Sequence, residues 1–538
     1  MLPASILLVA VTAAGADCGP TAYDCAVAQV TRRDFAGAIR SLDEVLQAAP
    51  RDLKALNLLG IALTGAGRID EADRRFQQAI AVDPTFYPAL KNLAVNEFTR
   101  GRHAESERHF EEVLKLAPGD EIANLHLGEI FFRKKQLTVA LAHYEKAGTR
   151  VAQDPAWTLH YAQCLLENGR GVEAVAALGR LPAVDADAQF QAGVMLGQAS
   201  LPAEAAAFFG RARGGYRDRY AAAYNQMLML VRGGQAAEAL RVGDGLVAAG
   251  PQPVELYSLM SEAYLKKGQV KEAYDALRTA IRLEPQNEEL YLDLAAICLD
   301  HDNPDLGLEI VDVGLGQRPE SLSLRLQRGV MLAMKGQVAQ AEAEFDRARQ
   351  MAPQAAAPYV ALAMAWMQTG RTEKAVEVLR ERARAGNQSA VVPYMLAVAI
   401  VRSGADPLGS AGAEAVAALE ASLRLDPRFA GARAELGKLL LKRGDVSPAI
   451  AQLEKAVALD PQNPAAAYAL AQACFKTGAR ERAEKLMAQV SRYNARQREG
   501  DPDDELRRVV VRIVREGASP ASPAPPASPA PPDRPPTP

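Results

Sequence analysis

The stretch Glu71–Pro84, EADRRFQQAIAVDP, decides the fold because it does not occur only once. Nearly the same phrase returns as KEAYDALRTAIRLEP at 271–285 and SPAIAQLEKAVALDP at 447–461, with a relative, HAESERHFEEVLKLAP, at 103–118. Aligning these phrases places prolines at Pro50, Pro84 and Pro118, at Pro251, Pro285, Pro319 and Pro353, and at Pro427 and Pro461, with a step of 34 residues inside each group. Twelve positions before the proline a small residue recurs (Ala38, Ala72, Ala273, Ala341, Ala449), and eight before it a bulky one (Leu42, Phe76, Phe110, Leu277, Phe345, Leu453). Another small residue often stands five before it, as at Ala79, Ala280, Ala348 and Ala456. Spacings of three and four put these residues on one face of a helix.

Seventeen residues before the proline a glycine often appears: Gly67, Gly101, Gly268, Gly336 and Gly444. A glycine there can end a preceding helix in the left-handed conformation. Each unit therefore reads as helix, tight turn, helix, and a proline-marked turn into the next unit. In the preceding helix a Leu or Met is followed by a small residue, as in Leu59-Gly60, Leu93-Ala94, Leu127-Gly128, Met260-Ser261 and Leu436-Gly437. Small residues in both helices let the backbones approach closely. One such hairpin cannot bury its apolar face alone, so the units must stack.

Period, small-residue positions, turn glycine and terminal proline together resemble the tetratricopeptide repeat. The resemblance implies an all-α fold, a right-handed α-solenoid of about fourteen helix-turn-helix repeats, running from about residue 22 to about residue 497. Several units depart from the pattern. One near 155–185 is short and lacks the proline, Ser200 stands where a turn glycine belongs, and an Asp302–Asn303 turn replaces another glycine. About six extra residues around Ala405 to Ser410 indicate a longer interhelix loop.

The ends read differently. At 1–16, Ile6–Val11 is an apolar run followed by Ala14-Gly15-Ala16, which reads as a signal peptide with a small-residue cleavage site, although no Lys or Arg precedes it. This gives a periplasmic or secreted location, with a cytoplasmic one as the alternative. The solenoid is assigned to 17–497. Cys18 and Cys25 are close enough in sequence for a disulfide, whereas Cys164, Cys298 and Cys474 lie in apolar helical patterns and read as inert buried thiols. At 498–517, Asp503 and Asp504 can cap a helix with an apolar stripe of Val509, Val510, Ile513 and Val514, read as a closing helix. The tail at 518–538 is rich in Pro, Ser and Ala and reads as disordered and polyproline-like.

The chain has 538 residues, 24% charged and 6% aromatic, and a net charge of −3, so nothing in the balance points to a nucleic-acid partner. No phosphate-cradling glycine loop, HExxH, CxxC or GxSxG appears, which leaves catalysis and cofactor binding without a motif. His109, His126, His143 and His160 are spaced seventeen apart, half a repeat, which sets them on alternate helices and reads as helix-surface histidines rather than a metal site.

In the tetratricopeptide family the first helix of each unit lines a concave groove. The register assigns to it Lys91, Phe98, Leu125, Glu129, Phe132, Arg133, Phe190, Tyr224, Leu228, Glu262, Lys266, Met364, Met367, Tyr394, Tyr468, Gln472 and Lys476. Such a groove suits an apolar or amphipathic peptide from another protein. The family's carboxylate clamp is incomplete here: Lys91 is present, but Val95 stands where the clamp needs Asn, and the unit before has Asn57 with Ile61. The expectation is a non-enzymatic protein-interaction scaffold with at most peripheral membrane association, the alternative being an accessory subunit of a bacterial envelope complex.

Overall fold

The computed structural model describes residues 21–250, 252–386 and 389–496, with side chains described to residue 492. Within these it contains 28 α-helices, one short 3-10 helix and no strand: an all-α solenoid, as the resemblance implies. None of the described helices is long and apolar enough to cross a membrane. The closing helix expected at 498–517 and the tail at 518–538 lie outside the described residues, as do 1–16 and Cys18. Cys25, in the first helix, is disulfide-bonded.

The helices pair in chain order and fall into two units, divided between residues 252 and 253. In the first unit α1 (Ala22–Thr31) pairs with α2 (Phe35–Ala48), α3 (Leu53–Gly65) with α4 (Ile69–Val82), and α5 (Tyr87–Thr99) with α6 (His103–Leu116). Next come α7 (Glu121–Arg133) with α8 (Leu137–Ala147), α9 (Pro155–Glu167) with α10 (Gly171–Leu178), α11 (Ala186–Gln198) with α12 (Pro202–Ala212), and α13 (Arg219–Arg232) with α14 (Ala236–Ala248). The second unit begins with α15 (Val254–Lys266) and α16 (Val270–Leu283), α17 (Glu288–Asp300) and α18 (Pro304–Gln317), and α19 (Leu322–Met334) and α20 (Val338–Met351). It continues with α21 (Ala356–Gln368) and α22 (Thr372–Arg384), α23 (Val391–Arg402) and α24 (Ser410–Leu425), α25 (Ala430–Arg443) and α26 (Val446–Leu459), and α27 (Pro464–Lys476) and α28 (Arg480–Arg496).

The local causes of this pattern repeat with the sequence. Two residues after five of the nine repeat prolines a side-chain cap starts the next helix: Asp52 accepts from the N–H groups of Lys54 and Ala55, Asp120 from those of Ile122 and Ala123, and Asn287, Ser321 and Asn463 act likewise. Each such cap stabilises its helix by about 1 kcal/mol. At the other end Gly67 takes φ of 79°, its N–H donating to the Thr64 carbonyl while that of Arg68 donates to Leu63, the two bonds of a Schellman turn.

Where the sequence lacks the turn glycine the geometry persists. Ser200 and Asp302 sit at φ of 60° and 51°, and Lys135 and Arg33 do the same at 61° and 62°. A side chain in this left-handed region costs on the order of 1–2 kcal/mol. Ser200→Gly is therefore expected to stabilise the first unit by about 1 kcal/mol, after the entropy glycine adds to the unfolded chain. A urea midpoint that stays level or falls contradicts this reading.

Between paired helices the close approach is set by one recurring contact. Gly60, Gly128, Gly193, Gly329 and Gly437 face Phe76, Tyr144, Phe209, Phe345 and Leu453, each sixteen residues on. A Cβ built on Gly60 falls 2.3 Å from Phe76, and one on Gly329 falls 2.3 Å from Phe345. The alanines of the opposing face, among them Ala72, Ala273, Ala341 and Ala449, are fully buried. At the same place in α6, Ser106 fits by donating its hydroxyl to the Ala94 carbonyl at 2.9 Å.

The irregular units keep the scheme. The helix α10 has only eight residues, and a 3-10 helix, Gly148–Gln153, with Val151 buried, bridges into α9. The insertion near Ala405 to Ser410 is a loop of 403–409 between α23 and α24. Cys164, Cys298 and Cys474 are buried free thiols, and burial pushes Cys164 up to about 12 and Cys298 up to about 11.

Candidate functional site

In the first unit the first-helix positions are engaged with their own neighbours. The Lys91 ammonium lies 2.7 Å from the Asp120 carboxylate, both largely buried, and Asp120 also caps α7. That carboxylate satisfies the one clamp lysine present. Phe98 is half-buried, its ring 4.8 Å from that of His126 and 5.1 Å from His103, with the exposed Arg133 guanidinium 5.6 Å away over its face. Phe132 stacks on His160 at 4.1 Å.

Leu125 and Glu129 are buried, which corrects their assignment as groove-lining groups. Tyr144 donates its hydroxyl to Glu129 at 2.5 Å, and His160 Nδ1 lies 2.9 Å from the same oxygen. A buried carboxylate needs such partners, because desolvating an unpaired charge costs several kcal/mol, on the order of what holds a domain together. Burial and the Glu129 charge push the Tyr144 hydroxyl far above its usual range. Further along, Phe190 stacks on Tyr216 at 4.0 Å, and Tyr224 and Leu228 are half-buried, with Tyr220 and Tyr224 stacked at 5.8 Å.

The histidine series is engaged with its neighbours too, but only one member is buried. His126 is buried, with Phe110 stacked at 5.1 Å and Trp157 edge-on at 6.4 Å, and its Nδ1 has no hydrogen-bond partner. His109 Nδ1 lies 2.7 Å from the buried Glu97 carboxylate, and His143 stacks on Phe131 with its Nδ1 3.0 Å from Asn124. The reading as surface histidines is therefore corrected for His126 alone, which aromatic neighbours enclose; His109, His143 and His160 stay partly exposed. Among the described residues no group of three or more His, Cys, Asp or Glu could hold a metal ion.

In the second unit the assigned positions divide. Glu262 and Lys266 are exposed and pair one helical turn apart at 3.1 Å, worth a few tenths of a kcal/mol. Met364 and Met367 are only 5% and 8% exposed, so they belong to the core and not to a groove. The reason is α21 itself, AAPYVALAMAWMQ, which is apolar all round and packs against both α19 and α23. Tyr394 is half-buried with its ring 4.8 Å from Phe429.

Tyr468, Gln472 and Lys476 are different: all three are exposed on α27 and converge on one open cavity of about 580 Å³ between α25 and α27. Lys438, Leu441 and Lys442 of α25 form its other wall, with Ala465, Ala469 and Phe475 of α27 beside them. Six of these, Lys438, Leu441, Lys442, Ala465, Ala469 and Phe475, were missed in the sequence. The signal was there: 438, 441 and 442 stand one 34-residue period before 472, 475 and 476. An aromatic and aliphatic floor with amide and ammonium groups at its edge can hold a peptide by side-chain burial and hydrogen bonding.

Models of one family, described as tetratricopeptide repeat, match residues 30–95, 131–194, 264–328, 332–397 and 440–500, and a second such model matches 91–155 and 412–464. No curated protein sequence matches the chain. Solved structures that it resembles include yeast Tom70, with 14% identity, 91% of this chain and 98% of that chain covered, and a TM-score of 0.40. The APC/C hetero-tetramer Cut9–Hcn1 covers 83% of this chain and 95% of its own at 12% identity and a TM-score of 0.33. YrrB, described as a TPR protein with an unusual peptide-binding site, matches 34% of this chain and 95% of its own at 17% identity and a TM-score of 0.31.

Proposed function

The chain belongs to the tetratricopeptide repeat family, and from that premise we propose that it is a non-enzymatic scaffold binding peptide segments of other proteins. The binding place is the groove between α25 and α27. The observation that carries this reading is the open cavity there, into which Tyr468 and Phe475 present aromatic rings that are 45% and 47% exposed. One repeat earlier the same two places hold Ala434 and Leu441, which are 3% and 7% exposed. Large exposed aromatic groups around a concavity are what a peptide-binding surface uses for affinity. The first-helix positions of the first unit support the array instead, since Lys91, Glu129 and Phe132 spend their interactions on Asp120, Tyr144 and His160.

Panning a random peptide library on the intact chain tests this reading, with a Tyr468→Ser/Phe475→Glu variant as the counter-selection. Peptides retained by the parent chain and lost at least tenfold from the variant are expected, with the helical circular dichroism unchanged. A library that yields no binders, or binders the variant keeps, contradicts it.

The same reading takes the scaffold to be exported. Its support is the apolar run Ile6–Val11 and the small residues Ala14-Gly15-Ala16. N-terminal sequencing of the protein from cells is expected to begin at Asp17. A protein recovered with Met1 in place from the cytoplasm contradicts export and leaves the scaffold reading untouched.

A further inference from the structure

Resting on the peptide-binding reading above, we propose that the groove between α25 and α27 selects an acidic ligand. Its occupant is an extended segment of another protein with Asp or Glu at alternate positions and aliphatic or aromatic residues between them. Three of the nine residues lining the cavity are lysines, and none is a carboxylate. Lys438 is balanced by Glu435 at 2.8 Å. Lys442 and Lys476 have no such partner among the described residues; the nearby acids Asp445 and Glu481 pair with Arg443 and Lys485 instead.

Position supplies the rest. Lys442 and Lys476 are 34 residues apart and so occupy the same place in successive hairpins, one on each wall. Lys438 and Lys442 are one helical turn apart, about 5–6 Å between side-chain roots. In an extended chain, side chains on one side recur every second residue, about 6–7 Å apart. Alternate carboxylates therefore match the lysine ladder, while the residues between them can meet Tyr468, Phe475 and Leu441. Ion pairs beside an apolar wall are stronger than pairs fully in water, because the local dielectric is lower. Lys442 and Lys476 stand on the first helix at places other than those of the incomplete clamp at Lys91 and Val95, Lys438 holds the place of Val95 where the clamp needs Asn, and no Asn lines the cavity, so the chemistry fits side-chain carboxylates rather than a chain terminus.

The test uses the intact chain and three N-acetylated, C-terminally amidated peptides that carry no terminal charge. Their cores are Glu-Leu-Glu-Phe-Glu, Gln-Leu-Gln-Phe-Gln and Lys-Leu-Lys-Phe-Lys, with affinities measured by fluorescence anisotropy at two salt concentrations. The glutamate peptide is expected to bind at least tenfold more tightly than the glutamine one, and to weaken as salt shortens the range of the charges. A Lys442→Glu/Lys476→Glu variant is expected to reverse the order and prefer the lysine peptide, a gain that a merely unfolded variant cannot show. Equal binding of the glutamine peptide, lost on Tyr468→Ser/Phe475→Glu, overturns the acidic preference and leaves peptide binding standing. Glutamate-peptide binding that survives charge reversal overturns the proposal as well. Failure of all three peptides, together with an empty library selection, overturns both readings.

Discussion

Gly329→Leu is expected to lower the stability of the second unit by about 3 kcal/mol, at the upper end of the usual cost of overpacking a core. The cause is a single contact. A Cβ at this position already falls 2.3 Å from a ring carbon of Phe345, whose side chain is buried and has nowhere to turn. Leucine adds three further carbons beyond it, and its better helix propensity returns only about 1 kcal/mol. The repeat itself shows where tolerance ends: Ala94 faces Phe110 at the equivalent place in α5 and α6, so Gly329→Ala is expected to cost much less. Because each hairpin is supported only by its neighbours, hydrogen exchange should accelerate first in α19 and α20 and their neighbours α18 and α21. A thermal unfolding curve that does not move, or loss of protection spread evenly along the chain, contradicts this account of how the hairpins close.

The second large effect is a loss of stability in acid that traces to His126. Burial among Phe98, Phe110 and Trp157 lowers this imidazole to about 4 from an ordinary value of 6.5, the charges of Glu129 and Asp120 opposing the shift only in part. Between those two values the unfolded chain binds a proton that the folded chain does not. Stability is therefore complete above about pH 6.5 and falls with pH down to about 4, at about 1.4 kcal/mol per unit, or about 3 kcal/mol in all. His103 and His143, which burial also lowers, act in the same direction.

His126→Phe keeps a ring in the stack, removes the buried Nδ1 that lacks a partner, and is expected to equal or exceed the parent chain in stability at pH 7. The difference between the two proteins, followed by urea unfolding from pH 7 to 4, isolates the histidine from the carboxylates that titrate lower. Parallel profiles contradict the assignment.

The fold was legible because the solenoid writes its geometry at fixed intervals. Prolines mark the returns, Gly67 and its counterparts mark the turns, and Gly60 facing Phe76 marks the close contact; all depend on residue type at a spacing. Even the irregular turns were visible as departures, and Ser200 and Asp302 turn out to hold the left-handed geometry without glycine. The caps two residues after Pro50, Pro118 and Pro285 went unread, although Asp52, Asp120 and Asn287 were in plain view.

Exposure of the candidate groove positions was legible chiefly at the C-terminal end. A first-helix position tells which way a side chain leaves the backbone, but its exposure depends on what the next helix brings. Tyr468 and Gln472 stay exposed on the last described hairpin, whereas Met364 is covered from both sides and Glu129 is claimed by Tyr144 and His160. These contacts join residues 15 and 31 positions apart, a separation at which only the three-dimensional register says which side chains meet. His126 was misread for the same reason: Phe98 and Trp157, which enclose it, come from the first helices of the hairpins before and after its own.

The most direct test of the central claim is photo-crosslinking in cells from two single positions of the intact chain. One probe replaces Phe475 in the groove, and the other replaces Lys455, exposed on the outer helix α26. The account predicts adducts from position 475 that map to one segment of another protein, and none from position 455. Adducts from position 455 with none from 475 would place the working surface on the second helices and contradict it.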